Sequence, residues 1–451
     1  MFRSFLALLA RFSVPRIFAL SLSVGVVSCS GDSWIGEHAA PPAPGTRVPV
    51  LEKMATLEIA QGLKERIRLP TPEVNKSWPQ QGGYPHHAMH HMQISAEPDV
   101  AWRQSIGAGS GRRNRLMGEP IVADETVYVV DTEGTASALD ATTGHIVWQT
   151  DLLPPDEDSD TLMGGGVALN QGRIFVTTGF AEVIALDARD GREIWRQRVT
   201  APLRSGPTVS EGRVFVNALD NKAFALSAET GSIIWTYSGV EEPTAALGSS
   251  APTVSNGVVL FSFTSGEVVA LRVDTGSPLW SDRVVAVRRT DASGTLPTIA
   301  ARTVVNQGRA FVLGHSGLLV SIDMRTGERV WELKIGGVHQ PWIAGSWLFA
   351  TTIDGRVVAV DAVRGRVAWI ADLPLWQDPE EQKGRITWTG PILASDRLIV
   401  AGSEGHIVSI HPYDGSVLGR IELGSGISLS PVIAQDSLYM LTDDGDVVCL
   451  Q

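Results

Sequence analysis

Four of the ten histidines in this 451-residue chain fall within six positions, His86-His87-Ala88-Met89-His90-His91. Imidazoles at that density are raw material for a metal site. No cysteine or carboxylate stands among them, and the stretch precedes the repeats described below. We read it as a plain polar loop segment and expect no metal. Arg112-Arg113-Asn114-Arg115 is a basic cluster in an acidic protein. It suits an acidic partner or lipid headgroups, or else a solvated loop that pairs with nearby acids, which is the reading we adopt. Gly107-Ala108-Gly109-Ser110-Gly111 lacks dinucleotide-binding spacing and reads as a flexible connector. Asp443-Asp444-Gly445 reads as a turn with solvated acids. No Gly-x-Ser-x-Gly elbow, phosphate-binding loop or His-Glu-x-x-His occurs. The expectation is a chain with no catalytic residues and no cofactor.

One residue does carry a chemical expectation, and it lies at the N-terminus. Arginines precede an apolar run, Ile17 to Val27, which is too short to span a bilayer as a mature helix. It ends in Val26-Val27-Ser28-Cys29, and small residues before a cysteine resemble the lipobox of bacterial lipoproteins, whose cysteine thiol is acylated. An ordinary signal peptide that contains a cysteine is the alternative. Residues 1–28 are therefore expected to be a lipoprotein signal peptide and Cys29 the lipidation site. Cys449 is the other cysteine, and acylation of Cys29 leaves it without a disulfide partner. Its place in a terminal alternating stretch reads as buried packing. Residues 29–76, with Pro41-Pro42-Ala43-Pro44-Gly45, read as a flexible tether. Residues 50–66 are a candidate short helix. The net charge is −12, and loss of residues 1–28, charged only at Arg3, Arg11 and Arg16, makes it −15. That balance disfavours nucleic acid as a partner.

The elements that would position any site come from a repeat. Eight twenty-residue frames start at Pro120, Val167, Pro207, Pro252, Thr303, Pro341, Pro391 and Pro431. The sixth place is glycine at Gly172, Gly212, Gly257 and Gly308. The fifteenth is Gly134, Ala181, Asn221, Gly266, Gly317, Gly355, Gly405 and Gly445. Glycine and asparagine accept the positive φ of tight hairpin turns. Alternating or apolar runs between them, such as Arg213 to Asn217, are strands. Place 25 is glycine from Gly144 to Gly415 in seven copies, and place 29 is tryptophan in six: Trp148, Trp195, Trp235, Trp280, Trp331 and Trp369. The seventh copy has Gly419 there.

Three turns make four strands, and such sheets bury both faces by radial stacking. The fold class expected over residues 77–451 is all-β: an eight-bladed β-propeller of four-stranded antiparallel blades. The eighth copy stops at Gln451 before its fourth strand, while an orphan strand with Trp102 stands upstream at 99–104. The N-terminal strand is expected to complete the C-terminal blade and hide its edge. In such a meander the first and third turns share one rim, and the second turn and the inter-blade connectors share the other. The long connectors 149–166, 236–251, 281–302 and 370–390 mark the second rim as the binding face.

The repeated Asp-Ala-x-x-Gly-x-x-x-Trp, as in Asp140 to Trp148 and Asp187 to Trp195, resembles the repeat of quinoprotein-type propellers. Within that group the chain is similar to the BamB family, the propeller lipoproteins of the outer-membrane β-barrel assembly machine. The stretches that carry this are Asn75 to Gln80, Thr177 to Val183, Ser265 to Leu271 and Leu441 to Gly445, with the lipobox. The resemblance implies a non-catalytic scaffold, lipid-anchored on the periplasmic side of the outer membrane, that aids folding and insertion of outer-membrane proteins. It implies two kinds of partner, the POTRA domains of the barrel-inserting subunit and the machine's other lipoproteins. It places the POTRA contact on connectors 236–251 and 281–302, and so on Leu247, Arg288, Arg289 and Asp291. The other branch of the group, the pyrroloquinoline-quinone dehydrogenases, is the alternative. That branch carries adjacent cysteines beside its cofactor, and this chain has no adjacent pair.

Overall fold

A computed structural model describes residues 57–60, 66–154, 164–242, 248–285 and 297–451. Among them there is no helix, and residues 57–60 of the candidate helix have no regular structure. The compact unit, residues 51–451, holds eight four-stranded antiparallel sheets. Blades 1 to 7 span 121–151, 166–198, 208–238, 253–283, 304–333, 342–372 and 388–422. Each runs in simple order from its innermost to its outermost strand. Blade 8 takes three strands from 432–450 and its outermost strand, Val100–Ser105, from the other end of the chain. That strand pairs with Asp446–Leu450, Val100 opposite Leu450 and Ser105 opposite Asp446. The eight-bladed ring and its closure by an N-terminal strand are as expected.

The turn positions explain why the sequence folds this way. The first turn of blade 3 places Glu211 at φ +51° and Gly212 at φ +71°, the two left-handed residues of a type I′ hairpin. Tight hairpins of this kind fix the strand register and leave both sheet faces apolar.

The tryptophan and the place-25 glycine form one device. Trp195 of blade 2 packs under Gly231 of blade 3, where an added Cβ would lie 2.6 Å from the indole. The indole N–H donates to the Ala228 carbonyl, 3.3 Å away, across the seam. The same lock, with its own carbonyl, recurs from Trp102 to Ala141, Trp148 to Ala188, Trp235 to Val273, Trp280 to Met324, Trp331 to Ala362 and Trp369 to Pro412. Within a blade the indole also meets a ring on the second strand, as in Phe175–Trp195 at 5.8 Å and Phe215–Trp235 at 5.9 Å. One seam has no lock. Blade 8 lacks a third turn because its outer strand arrives from residues 100–105. A blade 7 indole would have no turn glycine to lie against, and Gly419 stands there with open space at its Cβ.

Candidate functional site

The innermost strand of a propeller blade has a free edge facing the axis. Its unpaired N–H and C=O groups must find partners or water. Here the chain supplies its own partner. Residues 75–92 run around the axis and hydrogen-bond to every blade in turn. Trp78 exchanges two backbone bonds with Val122 of blade 1, and the Pro79 carbonyl accepts from Leu169 N of blade 2. Gln80 Oε1 accepts from Val209 N of blade 3, and Gln81 Oε1 from Gly206 N just before that blade. The Pro85 carbonyl accepts from Val254 N of blade 4, and the His86 carbonyl from Val305 N of blade 5. The His90 carbonyl accepts from the Trp342 indole of blade 6. Met92 bonds to Leu393 and Ser395 of blade 7, and Asn75 to Ile433 and Gln435 of blade 8. This plug turns at Gln80–Gly83, where Gly82 has φ +76° and so little room that a Cβ would lie 2.6 Å from Gln340 Oε1.

A buried polar network underlies the turn. Arg302, just before blade 5, reaches across the axis to Glu119, just before blade 1, at 2.9 Å. Glu119 Oε1 also accepts from Gly82 N, and Arg302 Nε donates to Gln340 Oε1. Gln340 Nε2 in turn donates to the His87 carbonyl. A buried pair of this kind persists only where further hydrogen bonds satisfy both ions, and here the plug supplies them.

The histidines are structural parts of the plug. His91 Nδ1 donates to the Pro70 carbonyl while Nε2 accepts from Asp396 N, so one neutral tautomer serves both bonds. His87 Nδ1 donates to the Thr303 carbonyl at 2.8 Å. Burial, then the Arg302 charge, pulls the His87 pKa down to about 3. Burial also lowers His86 and His90. Among the described residues no group of three His, Cys, Asp or Glu side chains is placed to hold a metal. The loop read from composition at 86–91 is thus a correction: the segment is packed inside the ring, because its backbone pairs with strand edges. Likewise residues 66–76, assigned by composition to the tether, run over the blades, with Glu73 bridged to Met92.

Rim assignment follows from the backbone. Each connector starts beside its own blade's second turn, as in Gly239 N to the Asn221 carbonyl and Val284 N to the Gly266 carbonyl. The connectors therefore share one rim with the second turns. Connector 373–387 carries an extra hairpin, Trp376–Asp378 with Lys383–Arg385, where the Arg385 guanidinium lies 5.8 Å from the centroid of Trp376. Arg112, Arg113 and Arg115 are exposed on the connector that leads into blade 1.

The model of the family described as outer membrane protein assembly factor BamB matches residues 96–156 and 132–371. The chain belongs to the BamB family. Curated relatives named outer membrane protein assembly factor BamB include that of Escherichia coli K12, 28% identical over 355 residues, covering 78% of this chain and 88% of the relative. That of Yersinia pestis is 27% identical over 356 residues, with the same coverage. The crystal structure of BamB from Moraxella catarrhalis matches 79% of this chain and 100% of its own, with TM-score 0.66 at 20% identity. The quinohemoprotein alcohol dehydrogenase of Comamonas testosteroni matches 83% of this chain and 80% of its own, with TM-score 0.65 at 14% identity. At such identities the two structures share the fold with this BamB-family chain.

The sequence-derived site residues Cys29, Leu247, Arg288, Arg289 and Asp291 lie outside the described residues. The described flanks of their connectors are anchored by burial, Ala251 on one, Val284 and Ile299 on the other. Sequence reasoning missed Gln80, Gln81, Glu119, Arg302 and Gln340. A signal existed: Trp78-Pro79-Gln80-Gln81-Gly82-Gly83 pairs long amides with two glycines before any repeat begins.

Proposed function

We propose that this protein is a non-catalytic scaffold of the outer-membrane β-barrel assembly complex, anchored by Cys29 to the periplasmic side of the outer membrane. It binds the POTRA region of the barrel-inserting subunit through connectors 236–251 and 281–302 and aids folding and insertion of outer-membrane proteins. Other lipoproteins of the machine are its further partners. The observation that carries this reading is the family match over 96–371. The plug adds to it. Residues 75–92 pair the inner strand edges with the chain's own groups, and the sequence has no adjacent cysteine pair for a quinone site.

Affinity purification from solubilised outer membrane tests the reading. The wild-type chain is expected to bring down the barrel-inserting subunit. Charge reversal of Arg288 and Arg289 together is expected to weaken that recovery at least several-fold. The same change at Arg192 and Arg213, by the short-turn rim, is expected to leave it intact. Recovery that is lost only with the second pair would place the interface on the wrong rim. No recovery of the subunit by the wild type would refute the function.

A further inference from the structure

Before it enters the plug, the chain crosses blade 6. Ala60 N donates to the Val367 carbonyl on that blade's outermost strand at 2.9 Å. Ile67 and Leu69 pack against the buried core, and Pro70 lies over Gly345 in the blade's first turn. A cavity of about 460 Å³ lies between Arg66 and Arg68 of this crossing segment, the first turn at Ser346, and the third turn at Asp361, Val363 and Arg364. Both turns belong to the rim away from the connectors. At roughly 30 Å³ per water, that is space for about fifteen waters, enough for a glycerophosphate headgroup.

Among the described residues three guanidinium groups line this cavity against one carboxylate. The carboxylate is Asp361, which is buried and already engaged. Its Oδ2 pairs with Arg364 at 3.1 Å, and its Oδ1 accepts from Val363 N and Arg364 N. Arg66 and Arg68 are exposed and have no acidic partner among the described residues. Two further arginines stand at the same turn. Arg366 is exposed opposite Asp361 on the next strand, and Arg309 of blade 5 donates to the Val363 carbonyl at 2.9 Å. The crossing segment's own acids, Glu58 and Glu73, do not line the cavity. In a chain of net charge −12 this is a local excess of positive charge, and such a patch draws anions. Exposed apolar side chains accompany it. Val363 in the cavity wall is 47% exposed, and Ile59, beside Ala60, is 53% exposed. Arginines next to exposed apolar groups suit a surface that meets an anionic membrane.

We propose that this cavity takes the phosphate of an anionic phospholipid headgroup at Arg66, Arg68 and Arg364, and so holds the short-turn rim of blade 6 against the bilayer. A guanidinium presents paired donors that match phosphate oxygens. The choice of a lipid over free phosphate or an acidic protein rests on the reading of Cys29 as the anchor. The segment that supplies Arg66 and Arg68 is the one that leads back to Cys29, which stands 28 positions before Leu57. A chain of that length reaches at most about 100 Å, so the anchor keeps the ring near the membrane without choosing which face meets it. A basic patch is the second signal that makes such an attachment stable, and here it also selects the face. The connector rim is then turned away from the bilayer.

The test uses the chain from residue 29 onward with Cys29→Ser, so that no acyl chain contributes. Residues 1–28 lie outside the compact unit, which begins at Leu51. Vesicles of equal parts phosphatidylcholine and phosphatidylglycerol are expected to sediment at least five times as much of this protein as phosphatidylcholine alone, against the repulsion of a net charge of −15. Arg66→Gln with Arg68→Gln is expected to cut that recovery at least fivefold at an unchanged melting temperature, since both side chains are exposed. Arg189→Gln with Arg192→Gln, the same loss of charge on the same rim at blade 2, is expected to leave it within twofold. An equal drop from both pairs, or no preference for the anionic vesicles, overturns the proposal. Binding of inorganic phosphate below 1 mM by calorimetry, with loss of vesicle binding in its presence, assigns the cavity to a free phosphate and overturns the lipid. Acylation of Cys29 is read separately by membrane fractionation, so the anchor and the patch can each fail alone.

Discussion

His87 sits in the plug with its imidazole against Thr303 and the Arg302 guanidinium nearby. Its pKa is about 3 when folded, against 6.5 when exposed. Between those values the unfolded chain binds a proton that the folded chain refuses. Stability is then fully present above pH 6.5 and is lost as pH falls towards 3. The steepest loss is about 1.4 kcal/mol per pH unit for each such group. His339, at about 4, adds the same sign over a narrower window. Denaturant unfolding at pH 7, 6, 5 and 4 should show the loss. His87→Gln should lower stability at pH 7 yet flatten the slope by about one proton. An unchanged slope would mean that His87 is not the group that titrates. Further along the chain, Trp102 is only half-buried, so Trp102→Ala should cost about 2–3 kcal/mol, below the 3–5 of a fully buried aromatic. A melting temperature equal to wild type would remove Trp102 from ring closure.

The plug is the element whose removal says most. Gln80→Ala leaves Val209 N without its acceptor, in a site where Gln80 is 2% exposed. The expected cost is about 1–3 kcal/mol, the penalty of an orphaned buried donor. Hydrogen exchange at Val209 should rise by at least tenfold while that of the blade's outer strand is unchanged. Uniform exchange across blade 3 would show that the plug does not protect the inner edge. Much of the surrounding architecture is legible in the sequence because each blade repeats the same local chemistry. Gly144 and Trp148 recur with the same spacing, and a strand between positive-φ turns has few alternatives. The plug has no such periodicity. It pairs through its backbone with residues from 44 to 360 positions away, as Trp78 with Val122 and Asn75 with Gln435, and Trp78 looks locally like any linker tryptophan. The aromatic partners of the locks, Phe175 and Phe215, lie at a fixed ninth place and were readable in principle.

At the scale of the ring, seven seams are locked by an indole and the seam between blades 7 and 8 is not. Arg103 spans the gap instead, donating to the Leu423 carbonyl at 2.8 Å and pairing with Asp446. With fewer buried contacts the ring should open first there. In native-state hydrogen exchange the outer strand of blade 7, Val417–Glu422, should exchange faster than the outer strand of blade 3, Ile233–Ser238. Equal rates would show that the missing indole costs nothing.

Asn75 and its partner Ile433 are 358 positions apart. Whatever emerges first in synthesis is thus tied to what emerges last, and the plug cannot be fully seated until the eighth blade exists. Loop closure over such a span has to occur before its contacts are gained, and folding slows as contacting residues grow distant in sequence. Blades 1 to 7 can collapse as neighbours, yet the circle of plug contacts stays open at blade 8, the partner of Asn75, until the final step. The last event in folding is then the sealing of a ring around its own beginning, and a chain cut short before residue 433 has no way to perform it.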